Sequence, residues 1–223
     1  ENAPMPPMKS KKSERTRETI VRAARKVFSE HAYHAASIRM IGKEAGIEHP
    51  LINYYYPNKA ELFDAIIREI CEEFANSAAG WYDEVREMGI SEGFTRYIEL
   101  LMEFNRQNPE PLRILALNLP NVKDIAQTPG YHRFPELISR LHAIFLEKIR
   151  PRGGDHEIRM FLSGFYFLII SLFGSGPCVA QVQGMDPEGD AYRKWIMETL
   201  LFLFLPRLKE IIIPPGKRTG SRS

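Results

Sequence analysis

Polar and aromatic side chains are concentrated between residues 49 and 59 of the chain. His49, Asn53 and Tyr55 can exchange hydrogen bonds, and Lys59 adds a cation just beyond them. Side chains of these types on one short helix suit contacts with the base edges and phosphates of DNA rather than catalysis. Whether these side chains can contact DNA together depends on the helices that position them.

Two short helices joined by a tight turn are predicted to carry these residues. Ser37 can act as a side-chain N-cap for the first helix, and Gly46 stands where a left-handed conformation would end it. Pro50 lacks a backbone N–H and fixes its own φ, so it belongs in the first turn of the second helix. The inward positions across the unit would be Ile38, Ile41, Ala45, Ile47, Ile52 and Tyr56.

A longer helix is predicted before this pair, from Arg15 to Glu30. Its apolar residues recur at helical spacing and form one face: Ile20, Ala23, Ala24, Val27 and Phe28. Three helices in this order, with a glycine turn between the last two, are typical of a helix-turn-helix. In that motif the last helix enters the major groove of DNA.

The segment from about Arg15 to Phe63 resembles the tetracycline-repressor (TetR) family of bacterial transcription regulators. The resemblance is carried by Ser-Ile-Arg…Ile…Lys-Glu-Ala-Gly-Ile and then by Tyr-Tyr-Tyr-Pro-Asn-Lys-Ala-Glu-Leu-Phe. It implies three DNA-binding helices followed by a larger helical domain for dimerisation and ligand sensing. Beyond Phe63 only the size and the helical pattern agree.

The resemblance also implies a role for individual residues. Phosphate contacts are expected from Ser37, Arg39, Tyr55 and Lys59. Contacts on the base-reading face are expected from His49, Pro50, Leu51 and Asn53, with Tyr54 on the same DNA-binding surface. Asn53 could pair with adenine, and Leu51 could touch a thymine methyl group. The alternative is a solvated helix face, or for Leu51 a place in the core.

Four positions depart from the family pattern. Ala32 stands where a glycine is usual after the first helix, and Gly42 replaces a usual alanine. Asn53 occupies the position of a common tyrosine, and Leu51 that of a small hydroxyl residue. The target DNA sequence therefore cannot be predicted by analogy.

The distribution of charge is more informative than the overall value of +2. Residues 1–62 contain eleven Lys and Arg against seven acidic residues, a net +4, and the remaining residues carry a net −2. A basic head on a slightly acidic body suits a protein that presents one end to DNA. The predicted divisions are a disordered basic arm (1–13), a helix-turn-helix domain (14–62), a helical effector and dimerisation domain (63–213) and a disordered tail (214–223).

The body shows helical periodicity and no convincing strand, so the chain is predicted to be all-α, with about nine helices. Proline and glycine residues mark the boundaries. The expected helices span residues 58–80, 91–107, 110–119, 134–149, 155–173 and 187–208, with a loop at 181–189.

An uncharged stretch runs from Met160 to Met185. Its apolar part, from Phe161 to Phe173, is shorter than the roughly 20 residues that span a bilayer, so a buried helix is predicted and no membrane contact. The family resemblance implies that the last two long helices pair with their copies in a homodimer. The expected interface residues are Phe161, Phe165, Leu168, Leu172, Trp195, Leu200 and Phe204.

An apolar effector pocket is a further expectation from the resemblance, for an unknown small molecule. The candidate lining residues are Trp81, Tyr82, Phe94, Tyr97, Phe104, Asn118, His132, Phe134, Phe165 and Tyr166. Aromatic residues at helical spacing are also typical of an ordinary core, and that alternative stays open for each of them.

Motifs for catalysis or metal binding are not evident. The sequence has no His-Glu-x-x-His, phosphate-loop or Gly-x-Ser-x-Gly pattern, and Cys71 and Cys178 are far apart. His31 and His34 lack nearby ligands, so neither an enzyme nor a cofactor or metal is predicted. Without a visible signal peptide, the expected compartment is the cytoplasm.

Two other functions remain possible from the sequence alone. The chain could be a helical small-molecule-binding protein or enzyme whose basic head is incidental, or a helical adaptor that contacts only proteins. Salt-dependent, sequence-selective binding to double-stranded DNA separates the predicted regulator from both.

Overall fold

The computed structural model describes residues 11–212, and within them it contains only helices, turns and loops. The predicted all-α fold is confirmed, with ten α-helices rather than about nine. They are α1 (Lys11–Glu30), α2 (Ile38–Ala45), α3 (His49–Tyr55), α4 (Lys59–Val85), α5 (Ile90–Gln107), α6 (Glu110–Asn118), α7 (Phe134–Ile149), α8 (Asp155–Gly174), α9 (Gly176–Val182) and α10 (Asp190–Ile212). Short 3₁₀ turns occupy Leu119–Asn121 and Tyr131–Arg133.

The helices differ from the prediction mainly at α1, α4, α9 and α10, the last of which spans Asp190–Ile212 rather than residues 187–208. Helix α1 begins at Lys11, so residues 11–13 belong to the helix and not to an arm; the predicted arm before them and the tail after Ile212 lie outside the described residues. Helix α4 continues to Val85. Helix α9 was not predicted, because Gly-Ser-Gly-Pro resembles a break, whereas Pro177 is accommodated in the first turn of α9.

The N-terminal helices α1, α2 and α3 form the head and pack around a small apolar core. Ile20 and Phe28 of α1, Ile41 of α2 and Ile52 of α3 are all fully buried. Gly46 ends α2 with a φ of 65°, a left-handed conformation that glycine adopts without strain. The turn between α2 and α3 is therefore fixed by the residue that the sequence singled out.

Gly42 and Ala32, two of the positions that depart from the family pattern, have different structural consequences. A Cβ atom on Gly42 would lie 2.8 Å from the carbonyl oxygen of Ile47, so glycine allows the close approach of the turn to α2. Among residues 11–212, Arg150 alone has a positive φ without being glycine. Ala32 consequently avoids the strain that a left-handed backbone would impose.

Helix α4 leaves the head and enters the body. Its buried residues run from Leu62 to Val85 and contact the core along most of its length. Helix α8 is the central helix of the body, with buried residues including Phe161, Phe165 and Ile169. In length and composition α8 could cross a bilayer, but its packing against its neighbours is also that of a core helix.

The head and the body meet along α1 and α6. The backbone N–H of Tyr33 donates to Asn118 Oδ1 at 2.7 Å. Beside this contact, Arg133 forms a two-point ion pair with Asp64, with its shorter N–O distance at 3.1 Å. The buried ring of Tyr131 stacks on Phe63, 6.2 Å away between centroids. The end of α6 and the connection from α6 to α7 therefore contact the head and the start of α4.

Candidate nucleic-acid interface

Helix α3 presents one apolar face to the core and an unusual second face to solvent. Ile52 is fully buried, and so are most atoms of Tyr56 at the end of the helix. In contrast, Leu51 is 45% exposed and Tyr54 is 79% exposed. Leu51 and Tyr54 are three positions apart on the helix and so lie side by side, and such an apolar patch suits contact with another molecule.

Two polar residues complete the exposed face of α3. His49 is exposed and Asn53 is half-buried one turn later, with Asn53 Nδ2 lying 3.4 Å from His49 Nδ1. Pro50 is also exposed, in the first turn. The carboxamide of Asn53 is thus held in place by a neighbour of the same helix while one side remains accessible to solvent.

The two tyrosines that follow Tyr54 hold α3 against α1. Tyr55 is half-buried and its hydroxyl donates to Ser13 Oγ at 3.3 Å. Tyr56 is buried and its hydroxyl accepts from Arg17 Nε at 3.0 Å. This hydrogen bond raises the pKa of the Arg17 guanidinium. The hydroxyl of Tyr55 therefore supports the head, a role that the sequence did not suggest.

Ser37 and Arg39 lie at the N-terminal end of α2, where backbone N–H groups are unpaired within the helix. Ser37 Oγ accepts from the N–H of Met40 at 3.3 Å and forms the predicted N-cap. Arg39 is exposed and forms no ion pair with another residue of the described chain. Both residues border an open cleft whose other walls include His49 and Lys59.

Lys59, the first residue of α4, is bound to the loop between α1 and α2. Its Nζ donates to the carbonyl oxygens of Tyr33 at 2.7 Å and Ala36 at 2.9 Å. Nζ also lies 4.4 Å from the centre of the Tyr33 ring. Partial burial lowers the pKa of the Lys59 ammonium. The cation therefore has a structural role, and one of its three N–H donors remains for a phosphate at the cleft.

Comparison with known proteins identifies the head. The family described as "Bacterial regulatory proteins, tetR family" matches residues 20–66. The transcriptional regulator RutR of Escherichia coli K12 is 23% identical over 103 residues, which cover 46% of this chain and 47% of RutR. BetI of Vibrio parahaemolyticus is 36% identical over 61 residues, covering 27% of this chain and 31% of BetI. Residues 20–66 therefore match the TetR family, and the chain spans about half or less of the length of these two relatives.

The fold extends the similarity beyond the head. FadR from Bacillus subtilis has a TM-score of 0.60 at 16% identity, covering 88% of this chain and 98% of that one. A TetR-family regulator from Marinobacter aquaeolei has a TM-score of 0.59 at 17% identity, covering 88% and 96%. RutR and BetI are transcriptional regulators, in agreement with the prediction that the chain is not an enzyme.

Four of the ten predicted pocket residues line one cavity. Tyr82, Phe94, Tyr97 and Phe165 are on its walls, among residues of α4, α5, α7, α8 and α10. The cavity has a volume of about 130 Å³. We refer to it as the distal cavity, because it lies at the C-terminal end of α4, at the opposite end of that helix from the head.

The remaining predicted pocket residues lie elsewhere. Trp81 and Phe104 pack edge-on against each other and Phe74 in a closed aromatic cluster. Phe134 and Tyr166 border a void of about 20 Å³, roughly the space of one or two water molecules. Asn118 binds the Tyr33 backbone and His132 is exposed beside Asp64, so neither lines the distal cavity. Sequence spacing could not separate these environments, because they depend on how the helices cross.

Three buried tyrosines connect the helices next to the distal cavity. The hydroxyl of Tyr166 lies 3.2 Å from that of Tyr82 and 3.1 Å from that of Tyr97. Burial raises the pKa of all three phenols above its usual value. The three side chains remain neutral donors and acceptors that join α4, α5 and α8.

The predicted dimer residues are mostly inside the protomer. Phe161, Phe165, Leu172 and Leu200 are buried, whereas Leu168, Trp195 and Phe204 are half-buried. The exposed apolar residues of α8 and α10 are instead Met160, Phe167, Phe202 and Leu203. Met160 and Phe167 are seven positions apart and so share a helix face, a signal that the all-round apolar composition of α8 obscured.

Proposed function

We propose that this chain is a ligand-responsive repressor that binds a palindromic DNA operator as a homodimer. A small apolar or amphipathic effector would release it from the operator. The observation that carries the proposal is the exposed face of α3, where Leu51 and Tyr54 are exposed and His49 lines the same cleft as Arg39. An apolar and hydrogen-bonding face next to a cation matches the edge of a major groove and its phosphates.

Roles within the interface follow from exposure and existing contacts. Base edges would be contacted by His49, Pro50, Leu51, Asn53 and Tyr54. Ser37 and Arg39 would bind one phosphate, since the N-terminal end of α2 adds unpaired N–H groups and a favourable dipole. Lys59 would contribute its remaining donor to that phosphate. Tyr55 would act mainly by holding α3 against α1, because its hydroxyl already donates to Ser13.

A homodimer is supported by a continuous apolar strip on the body. Met160 and Phe167 of α8 and Phe202 and Leu203 of α10 are each about half exposed or more. Exposed Gly164 and Ser171 lie on the same face of α8 and would allow close approach of a second helix. Two copies joined along this strip would pack α8 and α10 of each copy into a four-helix interface. The pair would have the two-fold symmetry that a palindromic operator requires.

Effector control is supported by the distal cavity and by the relatives. NicS of Pseudomonas putida, 25% identical over 109 residues, is named a transcriptional repressor. FadR from Bacillus subtilis was solved with stearoyl-CoA, a ligand with a long apolar part. An effector of this chain would need higher affinity for a conformation in which the two α3 helices no longer fit successive grooves.

Selection of binding sites from random duplexes, using the purified chain, tests the proposal. A repressor of this kind enriches two inverted half-sites whose centres are about one helical turn, or a multiple of it, apart. Its affinity for them falls steeply with salt. A helical ligand-binding protein, enzyme or adaptor would enrich no sequence, and that result would refute the proposal.

A further inference from the structure

We infer that the distal cavity binds a medium-chain monocarboxylic acid, with its apolar tail inside and its carboxylate on Arg86. The inference rests on the proposed function, because it takes this cavity as the effector site. It adds the chemical class, the orientation and the length of the ligand.

Most of the side chains that line the distal cavity are apolar. The aliphatic and aromatic lining residues are Val85, Met88, Ile90, Phe94, Phe145, Ile149, Phe161, Leu162, Phe165, Leu208 and Ile212. Tyr82 and Tyr97 also line it, but their hydroxyls interact with Tyr166, which is not part of the lining. The interior is therefore mostly apolar, its tyrosine hydroxyls interact with Tyr166, and an apolar tail fits it best.

Among the described residues, Arg86 is the only charged one that lines the cavity. It is exposed, as is Gly89 in the turn after α4, which places the mouth of the cavity at this turn. The guanidinium is 3.7 Å from Asp83 and 3.5 Å from Glu87. These distances exceed those of charge-assisted hydrogen bonds, so the donors of Arg86 remain available.

The acidic neighbours of Arg86 are engaged elsewhere or directed to solvent. Asp83 is 3.0 Å from Lys148 Nζ, and the side chain of Glu87 is 87% exposed. Glu84 pairs with Arg96 at 2.7 Å. A ligand carboxylate at the mouth would thus meet a planar guanidinium whose two ion pairs include no close hydrogen bond. Such a group binds carboxylates by two parallel hydrogen bonds.

The volume limits the length of the ligand. A buried water needs roughly 10–15 Å³ of such space, so about 130 Å³ accommodates on the order of ten non-hydrogen atoms. A straight-chain acid of about eight carbons has this size. Each added methylene should tighten binding about fourfold until the cavity is filled, and no further.

Isothermal titration calorimetry with the full chain tests this assignment. The probes are hexanoate, octanoate, decanoate and dodecanoate, with 1-octanol as the neutral counterpart of octanoate. We expect affinity to rise to a maximum at about eight to ten carbons and 1-octanol to bind at least about tenfold more weakly than octanoate. Tryptophan fluorescence gives a second readout, because Trp81 packs on the cavity residue Tyr97 with ring centroids 5.6 Å apart.

Two variants separate the head group from the tail. Arg86→Gln should remove the preference for octanoate over 1-octanol, and Arg113→Gln, an exposed arginine of α6 outside the cavity, should keep it. Ile90→Trp adds volume at a half-buried wall position and should shift the optimum to shorter acids. Thermal melts of each variant establish that it is folded before it is titrated.

The outcomes separate this inference from the proposed function. Equal binding of the acid and the alcohol, a preference that survives Arg86→Gln, or no saturable binding would overturn the inference while leaving operator binding intact. If octanoate binds as expected but leaves operator affinity unchanged, the assigned ligand class stands and the effector role of the cavity in the proposed function is refuted.

Discussion

Asn118, the last residue of α6, accepts a hydrogen bond from the backbone N–H of Tyr33 at 2.7 Å, although 85 residues separate them. Asn118 is buried, and its Nδ2 donates to the carbonyl oxygen of Ile114 at 2.8 Å. Lys59 binds the carbonyl oxygen of the same Tyr33. Tyr33 lies in the loop that precedes α2. Its backbone N–H is thus bound by Asn118 of the body, and its carbonyl oxygen is bound by Lys59 of α4.

Replacing Asn118 by alanine should therefore destabilise the chain. The change removes a hydrogen bond and leaves the buried N–H of Tyr33 without an acceptor, a loss of about 1–3 kcal/mol in the free energy of unfolding. Urea denaturation measures it. Asn121→Ala is the matched control, since Asn121 also bonds a carbonyl oxygen four residues earlier but is exposed. Equal losses in the two variants would contradict the assigned role.

The three buried tyrosines predict a loss of stability in alkaline solution. Their folded-state pKa values lie above the ordinary value of 10, so above about pH 10 the native chain binds more protons than the unfolded chain. The stabilisation is complete below pH 10 and is lost as the pH rises further. Unfolding curves between pH 8 and pH 12 should show this decline. Absorbance at 295 nm should show these phenols ionising only together with unfolding.

Tyr166→Phe tests the same network without a change of pH. Tyr166 is the common partner of Tyr82 and Tyr97, so the variant removes both hydroxyl contacts and should lower the free energy of unfolding by about 1–3 kcal/mol. Tyr54→Phe serves as the control because Tyr54 is exposed. Comparable losses would mean that the hydroxyls of the core contribute nothing specific.

The apolar strip on α8 and α10 predicts where a charge should break the dimer. Phe202 is 80% exposed in the protomer, so Phe202→Glu should leave the fold of one copy intact and yield monomers. Light scattering after size exclusion measures the mass. Val182→Glu introduces the same charge at a position that is 76% exposed on α9, outside the strip, and should leave the dimer unchanged. A monomeric wild-type chain would refute this interface.

The sequence was sufficient for the head because its signals are local. The Ser37 cap, the Gly46 turn and Pro50 each act within a few residues, and all three occur in the structure as predicted. The helices at 110–118 and 134–149 were also found, since proline marks their starts.

The site in the body could not be predicted with the same success. Helix α8 is apolar on nearly every side, so periodicity gave no inward face. Phe161 and Phe165, which were predicted at the dimer interface, are buried within the protomer. Asn118 was assigned to a pocket, because its partner lies far away in the chain. Only the crossing of helices in three dimensions determines such contacts.

Alanine variants of Lys59 and Arg39 should have different effects on stability but similar effects on DNA binding. The comparison separates support of the head from contact with phosphate. Arg39 is exposed and without an ion pair in the described chain, so Arg39→Ala should weaken binding to all DNA sequences alike without changing stability. The slope of log affinity against log salt should flatten by about one.

Lys59→Ala should flatten the slope similarly, but it also removes two hydrogen bonds to the loop before α2, with a loss of about 1–3 kcal/mol in the free energy of unfolding. Fluorescence anisotropy at several salt concentrations gives the slope, and urea denaturation gives the stability. Lys209→Ala, an exposed lysine of α10, controls for the loss of one positive charge far from the interface. A Lys59 variant of unchanged stability would show that its contacts to Tyr33 and Ala36 do not support the head. A loss confined to particular operator sequences would instead contradict phosphate contact by either residue.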